Sequence, residues 1–159
     1  MVVTVLVAAA GCSSGDDVVV RLDGSARVPD AEGVVQAVDH SNITLDGQRY
    51  RLSGKLQAFS TYTLEAVPVI GRKNQYVQVG LDGETVVWLA AFGAVVRAPG
   101  APPTVYYTGI LKQVDGGRAV FRDGSSVRLG TGVPIPERGT RVRVEIDPDR
   151  HRVRALTPV

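Results

Sequence analysis

Ala119-Val120-Phe121-Arg122-Asp123-Gly124-Ser125-Ser126-Val127-Arg128-Leu129 is a β-rich run, an Asp-Gly step and a second β-rich run. A tight turn between antiparallel strands needs positive φ, which Gly adopts at no steric cost, so this pattern predicts a hairpin. It recurs three times upstream. Val18 to Leu22 leads through Asp23-Gly24 to Ala26-Arg27-Val28. Asn42 to Leu45 leads through Asp46-Gly47 to Tyr50-Arg51-Leu52. Tyr76 to Leu81 leads through Asp82-Gly83 to Thr85 through Leu89. A fifth hairpin runs from Arg141 to Ile146, turns at Asp147-Pro148-Asp149-Arg150 and returns through Arg152 to Leu156. Its first arm alternates, so Val142, Val144 and Ile146 are expected in a core and Arg141, Arg143 and Glu145 in water. Helical periodicity is absent; Leu89 to Gly93 is the one candidate for a helical turn.

The chain also repeats itself. Gly33-Val34-Val35-Gln36-Ala37-Val38-Asp39 matches Gly109-Ile110-Leu111-Lys112-Gln113-Val114-Asp115, and Asp46 through Leu52 matches Asp123 through Leu129. The first match has an offset of 76 residues and the second 77, which places a one-residue insertion in a loop. A repeat of this kind indicates a duplicated unit. Each unit continues with a further strand, expected at Thr61 to Val67 in the first and Thr140 to Ile146 in the second, and ends on a returning strand. Between the units, Arg97-Ala98-Pro99-Gly100-Ala101-Pro102-Pro103-Thr104 reads as a stiff, extended linker.

These patterns predict an all-β chain. Five-strand units opened by a glycine and an Asp-Gly hairpin resemble the OB-like small β-barrel repeats of bacterial extracytoplasmic proteins. The resemblance covers residues 33 to 159 and implies two small OB-like antiparallel β-barrel units in tandem, at 18–96 and 105–159, joined by the linker 97–104. The alternative is a single β-sandwich with the Pro-rich segment as a loop between sheets.

Composition sets the class. At 44% hydrophobic and 21% charged residues the chain can bury a core, and 18 Gly with 9 Pro suit tight turns better than helices. The net charge of +2 conceals an asymmetry: residues 1–104 hold 8 Lys/Arg against 10 Asp/Glu, and residues 105–159 hold 10 against 6. A basic second unit suits an anionic wall polymer, anionic lipid or nucleic acid, or a plain solvated arginine face.

The single cysteine excludes an internal disulfide and multi-Cys metal sites. Cys12 closes the apolar run Val5-Leu6-Val7-Ala8-Ala9-Ala10-Gly11 and is followed by the polar Ser13-Ser14-Gly15-Asp16-Asp17. Apolar segment, small residues and a polar break read as a signal peptide. Ala9-Ala10-Gly11-Cys12 resembles the bacterial lipobox, although Ala9 stands where Leu is usual and no Lys or Arg precedes the apolar run. The resemblance implies a lipoprotein signal peptide at 1–11, lipid attachment at Cys12, a flexible tether at 12–17 and an extracytoplasmic, membrane-anchored location. The other reading is a buried N-terminal strand ending in a free thiol.

The sequence offers no catalytic constellation, and no cofactor or metal is expected. His40 and His151 stand apart. Asp147, Asp149 and His151 read as turn formers rather than cation ligands. The serines lack an elbow, and no glycine spacing makes a phosphate loop. The expected role is that of a non-enzymatic binding or scaffold module, facing another envelope protein, an anionic wall polymer or anionic lipid. Its candidate contact face is Tyr106, Tyr107, Arg118, Arg122, Arg128, Arg141, Arg143, Arg152 and Arg154. Tyr106 and Tyr107 point to opposite faces of a strand, so at most one can join that face. The alternative is an OB-type binder of single-stranded nucleic acid, which requires aromatic platforms in a basic groove. An enzyme with a site assembled from scattered residues is the least supported reading.

Overall fold

The computed structural model describes residues 3–7, 18–22, 27–60 and 73–159, with backbone alone at 3–7, 18–22, 59 and 60. The described residues form strands and turns and contain no helix. Val3–Val7 (β1) and Val18–Leu22 (β2) make a separate antiparallel pair. The turn expected at Asp23-Gly24 lies outside the described residues; of its expected arms, β2 pairs backwards with β1, and Arg27 and Val28 lie outside any strand. Cys12 and the tether 12–17 lie outside the described residues, as does the strand expected at Thr61 to Val67.

The first barrel comprises Ala31–Val38 (β3), Asn42–Leu45 (β4), Gln48–Ser60 (β5), Gln75–Asp82 (β6) and Thr85–Val96 (β7). β3 pairs with β4 and β6, β4 with β5, and β6 with β7; a parallel pairing of β5 with β7 closes the ring. The second comprises Thr104–Asp115 (β8), Arg118–Phe121 (β9), Ser126–Arg128 (β10), Arg141–Asp147 (β11) and Arg152–Pro158 (β12). Its pairings repeat the first ring: β8 with β9 and β11, β9 with β10, and β11 with β12. The parallel bridge Leu129–Val153 closes it, with the Gly130 amide donating to the Val153 carbonyl at 3.0 Å. This strand order, first–second–third–fifth–fourth with a parallel closure, is the OB arrangement. The described residues are thus all-β, paired in two tandem ring-like sets of OB-like strand order. The counterpart of β11 is β6, not the stretch at Thr61.

Three Asp-Gly hairpins form where the sequence places them, with Gly47, Gly83 and Gly124 all at positive φ. In β11, Val142, Val144 and Ile146 are buried, Arg141 and Arg143 are exposed, and Glu145 lies between.

The Pro-rich segment is not an extended linker. Val95 pairs with Val105 and Val96 with Thr104, so 97–103 is the loop of an antiparallel connection. Gly100 at φ 73 and the Ala101 amide donating to the Ala98 carbonyl at 3.1 Å turn the chain back on itself. The barrels therefore share a wall. On β6, Val77 and Val79 enter the first core while Tyr76 faces the second; on β7, Leu89 and Ala91 enter the first and Ala90 and Phe92 the second. Leu89 to Gly93 is accordingly mid-strand rather than a helical turn. A strand buried on both faces reads as a continuous apolar run and loses its alternation.

Candidate functional site

Along β8 the buried apolar residues are Val105, Tyr107 and Leu111, so Tyr106, Thr108, Ile110 and Lys112 look outward. Across the β8–β11 ladder Arg141 stands opposite Ile110, Arg143 opposite Thr108 and Glu145 opposite Tyr106. The Arg143 guanidinium lies over the Tyr106 ring, 5.6 Å from its centroid, and 3.6 Å from Glu145 Oε1. On the other side of β8, the Arg122 amide donates to the Ile110 carbonyl at 3.0 Å.

Where this wall meets the loop before β11 lies a cleft of about 290 Å³ lined by Leu111, Lys112, Arg122, Arg138 and Gly139. The loop is pinned by its backbone. Gly139, at φ 84, donates its amide to the Leu111 carbonyl at 2.7 Å, and the Leu111 amide donates to the Thr140 carbonyl at 2.9 Å. Arg138 Nε donates to the Lys112 carbonyl at 2.9 Å, which aims its head group across the cleft. Three of the five lining residues are cations and none is an acid.

Two other clefts carry both signs of charge. One of about 530 Å³ between the barrels is lined by Val34, Val35, Gln36, Asp46, Lys73, Asn74, Arg97 and Asp149. One of about 350 Å³ on the first barrel is lined by Asn42, Arg49, Tyr50, Arg51 and Glu84. Of the three, only the cleft on the second barrel presents a single sign.

Four residues expected from the sequence, Tyr106, Arg122, Arg141 and Arg143, come together on this wall. The other five do not. Tyr107 is 1% exposed, a core ring set edge-on against Phe92 and Phe121. Arg118 turns into the seam between barrels, donating from Nε to Ser126 Oγ and from its terminal nitrogen to the Ser126 carbonyl, both at 2.9 Å. Burial lowers its pKa, and the neighbouring Glu32 opposes that shift. Arg128 is exposed opposite Arg118 on the β9–β10 hairpin, and Arg152 is exposed opposite Asp147. Arg154 is held by Asp147 at 3.1 Å and Thr104 Oγ1 at 2.9 Å. Lys112 and Arg138 escape the sequence reading. Lys112 shares strand parity with Tyr106 and Ile110 and was legible on that ground, whereas Arg138 sits in a loop without periodicity.

The seam holds the other polar concentration. The Tyr107 hydroxyl donates to Asp123 Oδ2 at 2.6 Å, and the amide and hydroxyl of Ser125 both donate to Asp123 Oδ1. From outside the barrel, Arg27 donates to the Asp123 carbonyl at 2.7 Å and its amide to the Gly124 carbonyl at 3.0 Å. Burial first, and then Asp123, drives the Tyr107 hydroxyl far above the ordinary tyrosine range. Ser125 is fully buried and bound to a carboxylate, so this cluster holds the hairpin and offers no accessible nucleophile. Across the seam, His151 Nε2 lies 3.0 Å from Asp46 Oδ2, and Asp46 Oδ1 accepts the Val34 amide at 3.1 Å. Asp147 accepts the amides of Asp149 and Arg150, making the β11–β12 connection an Asp-built turn.

No family model matches the chain, and neither does any curated protein or solved structure.

Proposed function

We propose that the chain is a lipid-anchored protein of the bacterial envelope and acts as a non-enzymatic binding module. Its second barrel offers the outer wall of β8 and β11 to an anionic partner. The observation that carries the binding role is the exposed grouping of Arg141, Arg143 and Arg122 around Tyr106 and Ile110, continuous with the acid-free cleft of Lys112 and Arg138. Cations gathered on a rigid sheet face add their potentials, which favours an anion across the interface and speeds its encounter. The anchor rests on Ala9-Ala10-Gly11-Cys12 and the polar stretch after it. Cleavage before Cys12 would remove β1 and leave β2 without its partner.

Mass spectrometry of the native protein tests the anchor: a mature chain beginning at an acylated Cys12 is expected, and Cys12→Ala should release the protein from membranes. An intact, unmodified Met1 in the cytoplasm would sink it. Charge reversal at Arg141 and Arg143 together should abolish retention on an anionic matrix without altering the melting temperature. A second reading, a binder of single-stranded nucleic acid, is favoured by the OB strand order and by the arginine stacked on Tyr106. Oligonucleotide binding by a chain that keeps Met1 would select it.

A further inference from the structure

Accepting the second barrel's wall as a contact face, we propose that it is built for one class of ligand: a linear phosphodiester chain. One phosphate would seat in the cleft of Lys112, Arg122 and Arg138, and the following phosphates would lie along β8 past Arg141 and Arg143. The inference comes from comparing the repeats. β4 and β9 occupy equivalent places, Val35 facing Leu45 as Leu111 faces Phe121. In the first barrel Leu45 is followed directly by Asp46-Gly47; in the second, Arg122 intervenes between Phe121 and Asp123-Gly124. The one-residue insertion of the second repeat is therefore Arg122.

The partner position changes as well. Gln36 in the first barrel is neutral: it folds its side-chain carbonyl onto the Gly47 amide at 2.8 Å and lines the mixed-charge cleft beside Asp46. Its equivalent is Lys112, which lines an open cleft beside Arg122 and Arg138. Both departures of the second repeat at this place add a cation and neither adds an acid.

The ligand's chemistry follows from the array. Arg138 is fixed through Nε, which leaves its terminal nitrogens as a fork suited to two oxygens of one phosphate. Beyond the cleft, Arg141 and Arg143 stand two residues apart along β11, a step of about 7 Å. That step is comparable with the phosphate spacing of an extended chain and too long for one small anion to span. The row ends at Glu145, whose carboxylate would repel a further phosphate. Cations strung along one ladder of a curved barrel fit a thread better than a flat headgroup surface.

The test uses the full chain carrying Cys12→Ser, so that no lipid is present. It is titrated by calorimetry with poly(glycerol phosphate), oligo(dT), inorganic phosphate and phosphatidylglycerol vesicles. Both phosphodiester chains should bind, and inorganic phosphate should bind at least about tenfold more weakly because it fills one subsite of several. Arg122→Ala and Arg138→Ala should each weaken chain binding about tenfold and reduce the slope of log affinity against log salt by about 1. Arg128→Ala and Arg152→Ala, exposed but off the row, should change affinity less than about twofold. The stronger of the two chains identifies the source of the phosphates. Binding to vesicles alone, absence of chain binding, or equal losses from the off-row variants would overturn the proposal. Those failures leave an acylated Cys12 untouched, and an unmodified Met1 in a protein that still binds the chains would remove the anchor alone.

Discussion

Asp46 and Asp123 occupy the same place in the two repeats, the residue before the hairpin glycine, yet they live in different worlds. Asp123 is half-buried and fully engaged: Tyr107, Ser125 and Arg27 all bear on it. The Asp46 side chain is 42% exposed and reaches out of its barrel to His151. The cause lies one ladder away. Tyr107 has Ala31 as its counterpart at the offset of 76, and an alanine cannot send a hydroxyl to the aspartate. One duplicated hairpin thus became a buried brace in the second barrel and a surface clasp in the first. Each hairpin is met from outside its own barrel, Asp46 by His151 of the second barrel and the Asp123 turn by Arg27 of the segment that leads into the first.

The repeated glycines serve the same feature. A Cβ at Gly33 would come within 2.5 Å of the Asp46 carboxylate, and one at Gly109 within 2.6 Å of the Tyr107 hydroxyl and 2.9 Å of Phe121. Both glycines make room for the aspartate apparatus, one at a side chain that can swing into solvent and one against a packed ring.

The strongest way to break this contrast is Tyr107→Ala. It removes a ring packed between Phe92 and Phe121 and strips Asp123 of its inner donor, and should cost about 3–5 kcal/mol in urea unfolding. Ala31→Ser, at the equivalent place, should stay within about 1 kcal/mol. Next, Asp123→Ala should cost about 2–4 kcal/mol because it leaves the buried donors on Tyr107 and Ser125 without their carboxylate acceptor. Asp46→Ala should cost less than about 1 kcal/mol, since its contacts are open to water. Equal losses from the two would show that the hairpins are braced alike.

Gly109→Ala should destabilise by about 1–3 kcal/mol through overpacking, and Gly33→Ala by less, as the Asp46 side chain can yield. A double-mutant cycle on His151 and Asp46 should give a coupling of about 0.2–1 kcal/mol that fades with added salt. The smallest expected effect is on acid stability. In Asp147, burial alone would raise the pKa; the amides of Arg150 and Asp149 and the Arg154 guanidinium outweigh it and leave the carboxyl below its ordinary value. A depressed folded pKa stabilises above the unfolded value of about 3.9 and is lost as pH falls through the folded one. Asp147→Asn should therefore flatten the stability profile below about pH 4, seen in melts from pH 5 to 2.

Much of the architecture was legible because β-structure writes locally. Asp-Gly steps marked three hairpins, the alternation of Arg141 to Ile146 told inside from outside, and the Gly33 and Gly109 repeat announced duplication. Where the structure departs from these local patterns, the causes lie beyond a short window of sequence. Val18 to Leu22 looked like the arm of its own Asp-Gly hairpin, and strand pairing is a long-range choice that a short window does not contain. Leu89 to Gly93 looked irregular because β7 is buried on both faces. The 97–104 segment looked extended because proline content carries no information on whether a following strand returns. At the candidate site, Arg122, Arg141, Arg143 and Tyr106 followed from strand parity and charge, while Arg138 became visible only once its loop was docked on Leu111.

By itself the sequence determined an all-β chain, its turns, its duplication and its charge asymmetry, since each depends on residues within a few positions of one another or on counting. Tertiary structure decided the rest. It chose which strands close each ring, merged the barrels through β6 and β7, turned one aspartate inward and its twin outward, and gathered Lys112, Arg122 and Arg138 from three separate segments into one cleft. Those outcomes depend on which surfaces meet, and burial and close packing set them only when the whole chain has folded.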